Sequence, residues 1–268
     1  SSFGADHAGF GTDRSARRRA PGPPGGDARP GRCVRPRECP TPGVPDPGSA
    51  RPERLRSATV ELAEVIARRR MWRRFLDRPV PAATLERVLE RAASAPSAGN
   101  SQGWDWLVLT GAEETGRFWE LDADPGWRAA PDHPGLLRAP VVLLPLADPG
   151  AYERRYAEPD KRGRGGPSSW QVPYWLIDTA FATMVLLLAA TDEGLGTAFF
   201  ALHGPASRTL AAFGVPDDRI ALGAVALGWP ERPSPVGSSA RRARRALGEQ
   251  VHRGRWGGTG APQNCSGG

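Results

Sequence analysis

Two segments of this chain carry residue types that could hold a ligand. Arg68, Arg69, Arg70, Arg73 and Arg74 crowd one short stretch, a cluster of guanidinium groups suited to a phosphate. Downstream, residues 94–106 read Ser-Ala-Pro-Ser-Ala-Gly-Asn-Ser-Gln-Gly-Trp-Asp-Trp, a small, polar loop that lets backbone approach a flat ligand closely. Together they point to a bound phosphorylated cofactor rather than a catalytic side-chain triad. Each has a plainer reading when taken singly. Arginines at a helix end also form a solvated basic face helped by the helix dipole, and Pro, Ser, Gly and Asn favour ordinary turns. A second basic cluster, Arg241, Arg242, Arg244 and Arg245, has the same two readings.

The rest of the chain offers little chemistry of its own. Cys33, Cys39 and Cys265 all lie near the ends, which removes a disulfide framework, a zinc cluster and a buried thiol nucleophile. His133, His203 and His252 are too scattered for a metal site, and Lys161, the sole lysine, sits in a glycine-rich loop unsuited to a Schiff base. Gly194-Leu195-Gly196 follows a helix and lacks a third glycine, so it is a helix stop rather than a dinucleotide fingerprint.

The elements that must position these residues occupy one domain. Residues 1–52 contain ten Pro and nine Gly and no apolar periodicity, so residues 1–53 are expected to form a disordered tail. That segment has no secretory signal pattern, and a cytoplasmic protein is expected. The net charge of +7 resides in the tail and in residues 237–256. The body between them is close to neutral, which argues against a nucleic-acid partner. A folded domain over 54–256 and a second disordered tail over 257–268 follow.

Within the domain, apolar spacing predicts a helix over 59–70, capped by Ser57 or Thr59, with Leu62, Val65, Ile66 and Arg69 on one face. On such a helix Arg69 and Arg73, four apart, would reach one point. A second helix carries Leu85, Val88, Leu89 and Ala92 and stops at Pro96. Trp104–Thr110 and Val141–Leu146 read as strands, with a helix over Gly111–Leu121 between them. Tyr152–Gln171 reads as a polar excursion. Tyr174–Asp192 is a helix apolar almost all round, too short of uninterrupted apolar length for a bilayer, and expected in a core or between subunits. Leu195–Ala201, Pro205–Phe213 and Ile220–Leu227 read as strand, helix and strand. The class is α+β, a mixed sheet flanked by helices.

In this order the segments Arg-Arg-Met-Trp-Arg-Arg-Phe (69–75), Ala-Pro-Ser-Ala-Gly-Asn-Ser-Gln-Gly-Trp (95–104), Gly-Leu-Gly-Thr (194–197) and Ala-Val-Ala-Leu-Gly-Trp-Pro (224–230) resemble the nitroreductase family of FMN-dependent oxidoreductases. The resemblance covers residues 58–256. It implies a homodimer with FMN at the subunit interface, reduced by NAD(P)H and reoxidised by a small-molecule electron acceptor such as a nitroaromatic or quinone, with no membrane partner. By motif match Arg69, Arg70, Met71 and Arg73, with Arg242 and Arg244, would hold the phosphate. Pro96, Ser97 and Asn100 of the partner chain would pack on the ring. Ala201, His203 and Gly204 would line its other edge, with a backbone N–H near flavin N5. The loop at 96–100 and the helix around Met184–Leu188 would lie at the subunit interface, where Leu187 is one of the expected contacts.

The chain also departs from the family's pattern. Many relatives have Ser or Thr at Met71, so one hydroxyl donor is absent. Gly103 replaces a frequent proline, which predicts a looser loop. His203 stands where an acid is common in some relatives, and is either an exposed loop residue or a group that tunes the flavin. Two alternatives stay open: an FMN oxidase that uses O₂ on a small metabolite or peptide, and a non-catalytic FMN-binding protein.

Overall fold

The computed structural model describes residues 61–129, 134–163, 165–232 and 242–258. The expected N-terminal tail, the candidate caps Ser57 and Thr59, His133, Arg241 and all three cysteines lie outside them.

Helix α1, Leu62–Arg68, ends where Arg69 turns to extended geometry at φ −61° and ψ 122°. The expected helix over 59–70 is therefore too long at its C-terminal end, and Arg69 and Arg73 do not share a helical face. The chain instead runs extended along a sheet edge. The Trp72 N–H donates to the Thr197 carbonyl at 2.9 Å, and Met71 and Phe75 form isolated bridges with Thr197 and Pro230. Phe75 is fully buried beneath this segment. Tertiary pairing has overridden arginine's good helix propensity.

Helix α2, Ala82–Ala93, buries Leu85, Val88 and Ala92, as its spacing predicts. The strands are β1 (Trp104–Thr110), β2 (Val141–Ala147), β3 (Gly196–Phe200), β4 (Ile220–Ala221) and β5 (Ala224–Gly228). Their order is β1-β2-β5-β3, with β4 paired to β2. Every strand pairing is antiparallel, and the parallel contact is the Met71–Thr197 bridge, so the expected mixed sheet is in fact an antiparallel one. The run read as one strand over 220–227 is split at Gly223. There φ is +143°, and a Cβ would lie 2.4 Å from the Phe200 carbonyl, so only glycine fits.

All seven residues of β2 are buried, which places it at the centre of three layers. One sheet face packs on Phe118 and Trp119 of helix α3 (Gly111–Asp122), on Leu136 of the one-turn helix α5 (Pro134–Leu137), which follows the equally short α4 (Pro125–Ala129), and on Phe75. The other face packs on Leu85, Val88 and Ala92 of α2 and on Leu186, Leu187 and Ala190 of a long helix described below. Even and odd strand positions thus serve opposite layers.

Two further helices bear on the ligand-type segments. Helix α6, Pro149–Tyr156, starts before the expected polar excursion and occupies its first part, with Pro149 in the first turn, where its missing N–H costs nothing. Helix α7, Tyr174–Asp192, is long and apolar enough to cross a membrane by length and composition, yet here it packs between α1, α2 and the sheet. Arg87 and Arg91 of α2 reach Glu193 and Asp192 at its end, at 2.7 and 2.8 Å. Leu187, expected at a subunit interface, is 4% exposed and belongs to the protomer's own core. Tyr174, Phe181 and Met184 face outward instead. The last helix, α8 (Ala206–Ala212), buries Leu210 against α3.

Gly103 does not loosen its loop. It is buried, its carbonyl accepts the Asp148 N–H at 3.0 Å, and a Cβ there would sit 2.3 Å from the Tyr152 ring. The glycine makes room for a buried tyrosine. Gly103→Ala should therefore cost about 1–3 kcal/mol through overpacking. Gly116→Ala, on open helix surface with nothing near the added methyl, should instead raise stability by about 0.5–1 kcal/mol. Thermal melts of the two variants should move in opposite directions; a harmless Gly103→Ala would contradict the packing described.

Candidate functional site

The segment from Arg69 to Phe75 divides its side chains between the two layers: Met71 packs on the side of α2 and α7, Trp72 and Phe75 on the side of α3. Met71 turns toward the end of β3, where its sulfur accepts the Phe199 N–H at 3.4 Å. Arg69 and Arg73 stand two positions to either side of Met71 in the sequence. The thioether takes up a strand-edge donor but offers no donor itself. The Arg70 guanidinium lies 3.9 Å over the Trp72 ring.

The chain leaves β3 into Ala201–Gly204, beside the same sheet edge. This loop is held by a residue that sequence reasoning missed. Asp122, at the end of α3, has a fully buried side chain. One of its oxygens accepts the His203 N–H at 3.0 Å and the Gly204 N–H at 3.4 Å, and the other lies 3.2 Å from His203 Nδ1. His203 also packs on Trp127, with ring centroids 4.5 Å apart. The His203 and Gly204 amides are therefore engaged by Asp122. The expectation of a donor N–H in this loop narrows to Ala201 and to Leu202, which the sequence reading did not include. His203 is exposed, as one of its two readings has it, and its contacts with Asp122 and Trp127 anchor the loop. Asp122 lies in an unremarkable acidic run, and no spacing rule ties it to a loop some eighty residues on.

Pro96, Ser97 and Asn100 occupy a different place. Their loop precedes β1, at the opposite edge of the β1-β2-β5-β3 path, three strand spacings or about 14 Å from β3. Within it Gly99, Asn100 and Gln102 all have positive φ, at 64°, 56° and 48°. Such geometry persists only when its surroundings over-determine it. Ser97 Oγ accepts the Gln102 N–H at 2.9 Å, and the Ala98 N–H donates to the buried Asp178 carboxylate at 2.8 Å. The same oxygen accepts the Tyr152 hydroxyl at 2.8 Å. Burial and the Asp178 carboxylate push the phenol's pKa well up, so Tyr152 remains a donor throughout the ordinary pH range. From the outside Arg155 donates to the Gly99 carbonyl at 2.8 Å while pairing with Asp160, whose pKa it lowers to about 2. Asp178 stands in the first turns of the apolar helix α7, and its partners come from elements distant in the sequence.

The protomer thus brings Met71 to the same sheet edge as Ala201–Gly204, with Arg69 two residues before it and the Arg73 backbone against Gly135 of α5, and leaves Pro96, Ser97 and Asn100 at the other edge. Arg242 and Arg244 are exposed in the C-terminal segment, and among the described residues no hydrogen bond or ion pair links them to Arg69 or Arg73.

Comparison with known proteins bears on this arrangement. A family model described as the Nitroreductase family matches residues 66–229. A protein of Archaeoglobus fulgidus named for NADH dehydrogenase or NAD(P)H nitroreductase activity is 25% identical over 199 residues, covering 73% of this chain and 99% of its own. A nitrobenzene nitroreductase of Ectopseudomonas oleovorans is 29% identical over 209 residues, covering 64% of this chain and 88% of its own. Among solved structures, an FMN complex from Desulfovibrio desulfuricans superposes with a TM-score of 0.52 at 20% identity, covering 71% of this chain and 94% of its own.

The Asp122 anchor has a local consequence. Asp122→Ala leaves the part-buried His203 and Gly204 amides without their acceptor, at about 0.5–1.5 kcal/mol each. Hydrogen exchange should accelerate at residues 201–204 and remain unchanged in β1. Unaltered exchange in the loop would show that it is held by something else.

Proposed function

The chain belongs to the nitroreductase family, and from that premise we propose that it is an FMN-dependent oxidoreductase. In this reading NAD(P)H is the electron donor and a conjugated small molecule, a nitroaromatic or quinone, is the acceptor. The observation that carries the reading is the docking of Met71, which has Arg69 and Arg73 two residues to either side in the chain, on the edge of β3 whose following loop Asp122 holds. Paired guanidiniums suit a phosphate monoester, and the Ala201 and Leu202 amides, which have no hydrogen-bond acceptor among the described residues, suit the polar edge of a flat ring. The names of two relatives support the acceptor and donor classes, and the FMN complex of a fold neighbour supports the cofactor.

The chemistry FMN would supply when bound is two-electron transfer, in which NAD(P)H becomes NAD(P)⁺ and a nitro group takes up the hydride equivalent and one proton from solvent to become nitroso with loss of water. This chain's residues bind and orient. Arg69 and Arg73 hold the phosphate end, with Arg242 and Arg244 as further donors. The Ala201 and Leu202 amides face the ring edge, kept in place by the grip of Asp122 on His203 and Gly204. Pro96, Ser97 and Asn100 cover the ring from a second copy, because within one protomer they stand at the far sheet edge. Residues 54–256 form the cofactor-binding domain in this reading.

The second copy has a surface to dock on. Tyr174, Ile177, Phe181, Met184 and Leu188 recur at alternating spacings of three and four along the outer side of α7, the pattern of a helix-packing seam. Phe181 is 49% and Met184 44% exposed, and Leu62 and Ile66 of the adjoining α1 are exposed as well. An apolar stripe of this kind on a protomer marks an interaction surface.

The phosphate assignment separates cleanly from general charge loss. Arg69→Ala or Arg73→Ala should weaken FMN binding by roughly 10- to 150-fold, the worth of a charged hydrogen bond. Riboflavin, which has the same ring and no phosphate, should lose little. Equal losses for FMN and riboflavin in a fluorescence titration would overturn the assignment.

A further inference from the structure

Tyr152 of α6 and Asp178 of α7 are buried beneath the loop over residues 96–103, and between them they touch both of its ends. At one end the Ala98 N–H donates to Asp178 Oδ2 at 2.8 Å. At the other, the Tyr152 ring fills the space that a side chain at Gly103 would need. The Tyr152 hydroxyl donates to the same Asp178 oxygen at 2.8 Å, which ties the two anchors into one unit. We propose that Tyr152 and Asp178 are positioning residues that act in trans: the pair in one copy sets how tightly the other copy holds the flavin ring. The inference rests on the shared-site reading above and adds to it the residues that shape the ring cover.

The stretch between the anchors is the part that needs shaping. The positive φ angles of Gly99, Asn100 and Gln102 all fall between Ala98 and Gly103. Asn100 and Gln102 carry side chains in a backbone region such residues enter only under constraint. The Gln102 N–H bond to Ser97 Oγ at 2.9 Å and the Ser101 hydroxyl bond to the Ala98 carbonyl at 2.6 Å tie the loop to itself. They do not place it on the protomer. Arg155 reaches the Gly99 carbonyl from outside, and the bond from Ala98 is accepted by a buried carboxylate. The Tyr152 ring is itself held, since Trp170 and Trp175 meet it edge-on at 5.9 and 6.4 Å.

The pair also stands where subunit docking would reach it. The turn of α7 that carries Asp178 carries Ile177 and Phe181 as well, both on the outer stripe described above. One helix turn thus faces the loop on its inner side and the proposed docking surface on its outer side. A competing explanation is that Asp178 only satisfies the Tyr152 hydroxyl. Its loss would then weaken its own chain and leave untouched a site completed by another copy.

The test uses the full chain and reads flavin affinity by fluorescence. Asp178→Ala should weaken FMN and riboflavin alike by about tenfold. Tyr152→Phe, which keeps the ring at Gly103 and removes one hydroxyl, should weaken both by a smaller factor. Chains carrying Asp178→Ala and Arg69→Ala, differently tagged, are then co-expressed and the hybrid dimer is isolated. The site that keeps Arg69 is covered by the loop of the chain that keeps Asp178, so one FMN per dimer should bind with wild-type affinity. Tyr152→Phe takes the place of Asp178→Ala in the hybrid if circular dichroism shows that the latter does not fold. A control hybrid carries Pro96→Glu and Asn100→Ala instead. If the control binds one FMN at full affinity and the Asp178 hybrid does not, the shared-site reading stands and this proposal falls. If neither binds at full affinity, both fall. Unchanged affinity for both flavins in Asp178→Ala and Tyr152→Phe would also overturn the proposal.

Discussion

The pairing of an extended, arginine-rich segment with the edge of β3 is the interaction on which the proposed site depends. The Trp72–Thr197 backbone bond of 2.9 Å and the buried Phe75 downstream fix the course of the chain that carries Arg69, Arg70, Arg73 and Arg74. Had the segment continued as helix, Arg69 and Arg73 would have shared one face. Extended pairing separates them instead: Met71, between them, bridges to Thr197, and Arg70 stacks on Trp72.

Two buried carboxylates then do for the loops what edge pairing does for the arginines. Asp122 holds residues 203–204 and Asp178 holds residue 98, each by accepting backbone N–H groups. A carboxylate taken out of water is costly unless its lone pairs are satisfied. Each site satisfies them with the loop it positions plus one side chain, His203 or Tyr152. The cost of burial and the shape of the loop are therefore coupled. The loop cannot move without stranding a charge, which is how short segments with positive φ at Asn100 and Gln102 can be held rigid.

What was legible in the sequence was what local pattern dictates. Leu85, Val88 and Ala92 announced α2, the continuous apolar run announced β2, and Pro96 marked the stop before the loop. What was illegible depended on distant contacts. No local signal ends α1 at Arg68, since the arginines that follow are good helix formers and only Thr197, more than a hundred residues away, competes for them. Gly223 splits the 220–227 run because of the Phe200 carbonyl beside it. Gly103 looked like a loosened turn until Tyr152 was seen to fill its missing side chain. Helix α6 hid in polar sequence because it buries little beyond Tyr152. Of the site, the arginine cluster and the 96–100 loop were visible by composition, whereas the roles of Asp122 and Asp178 and the stacking of Arg70 on Trp72 required the fold.

The central claim is that one ligand site is assembled from opposite sheet edges of two copies. Subunit mixing tests it most directly. Arg69→Ala protein, damaged at the β3 edge, is unfolded and refolded together with protein carrying Pro96→Glu and Asn100→Ala, damaged at the β1 edge. If two copies share each site, hybrid dimers contain one site with both halves intact, and the mixture should regain FMN binding that neither parent shows. If each site is built within a single chain, every site in the mixture carries one lesion, and the mixture should bind no more FMN than the mean of its parents.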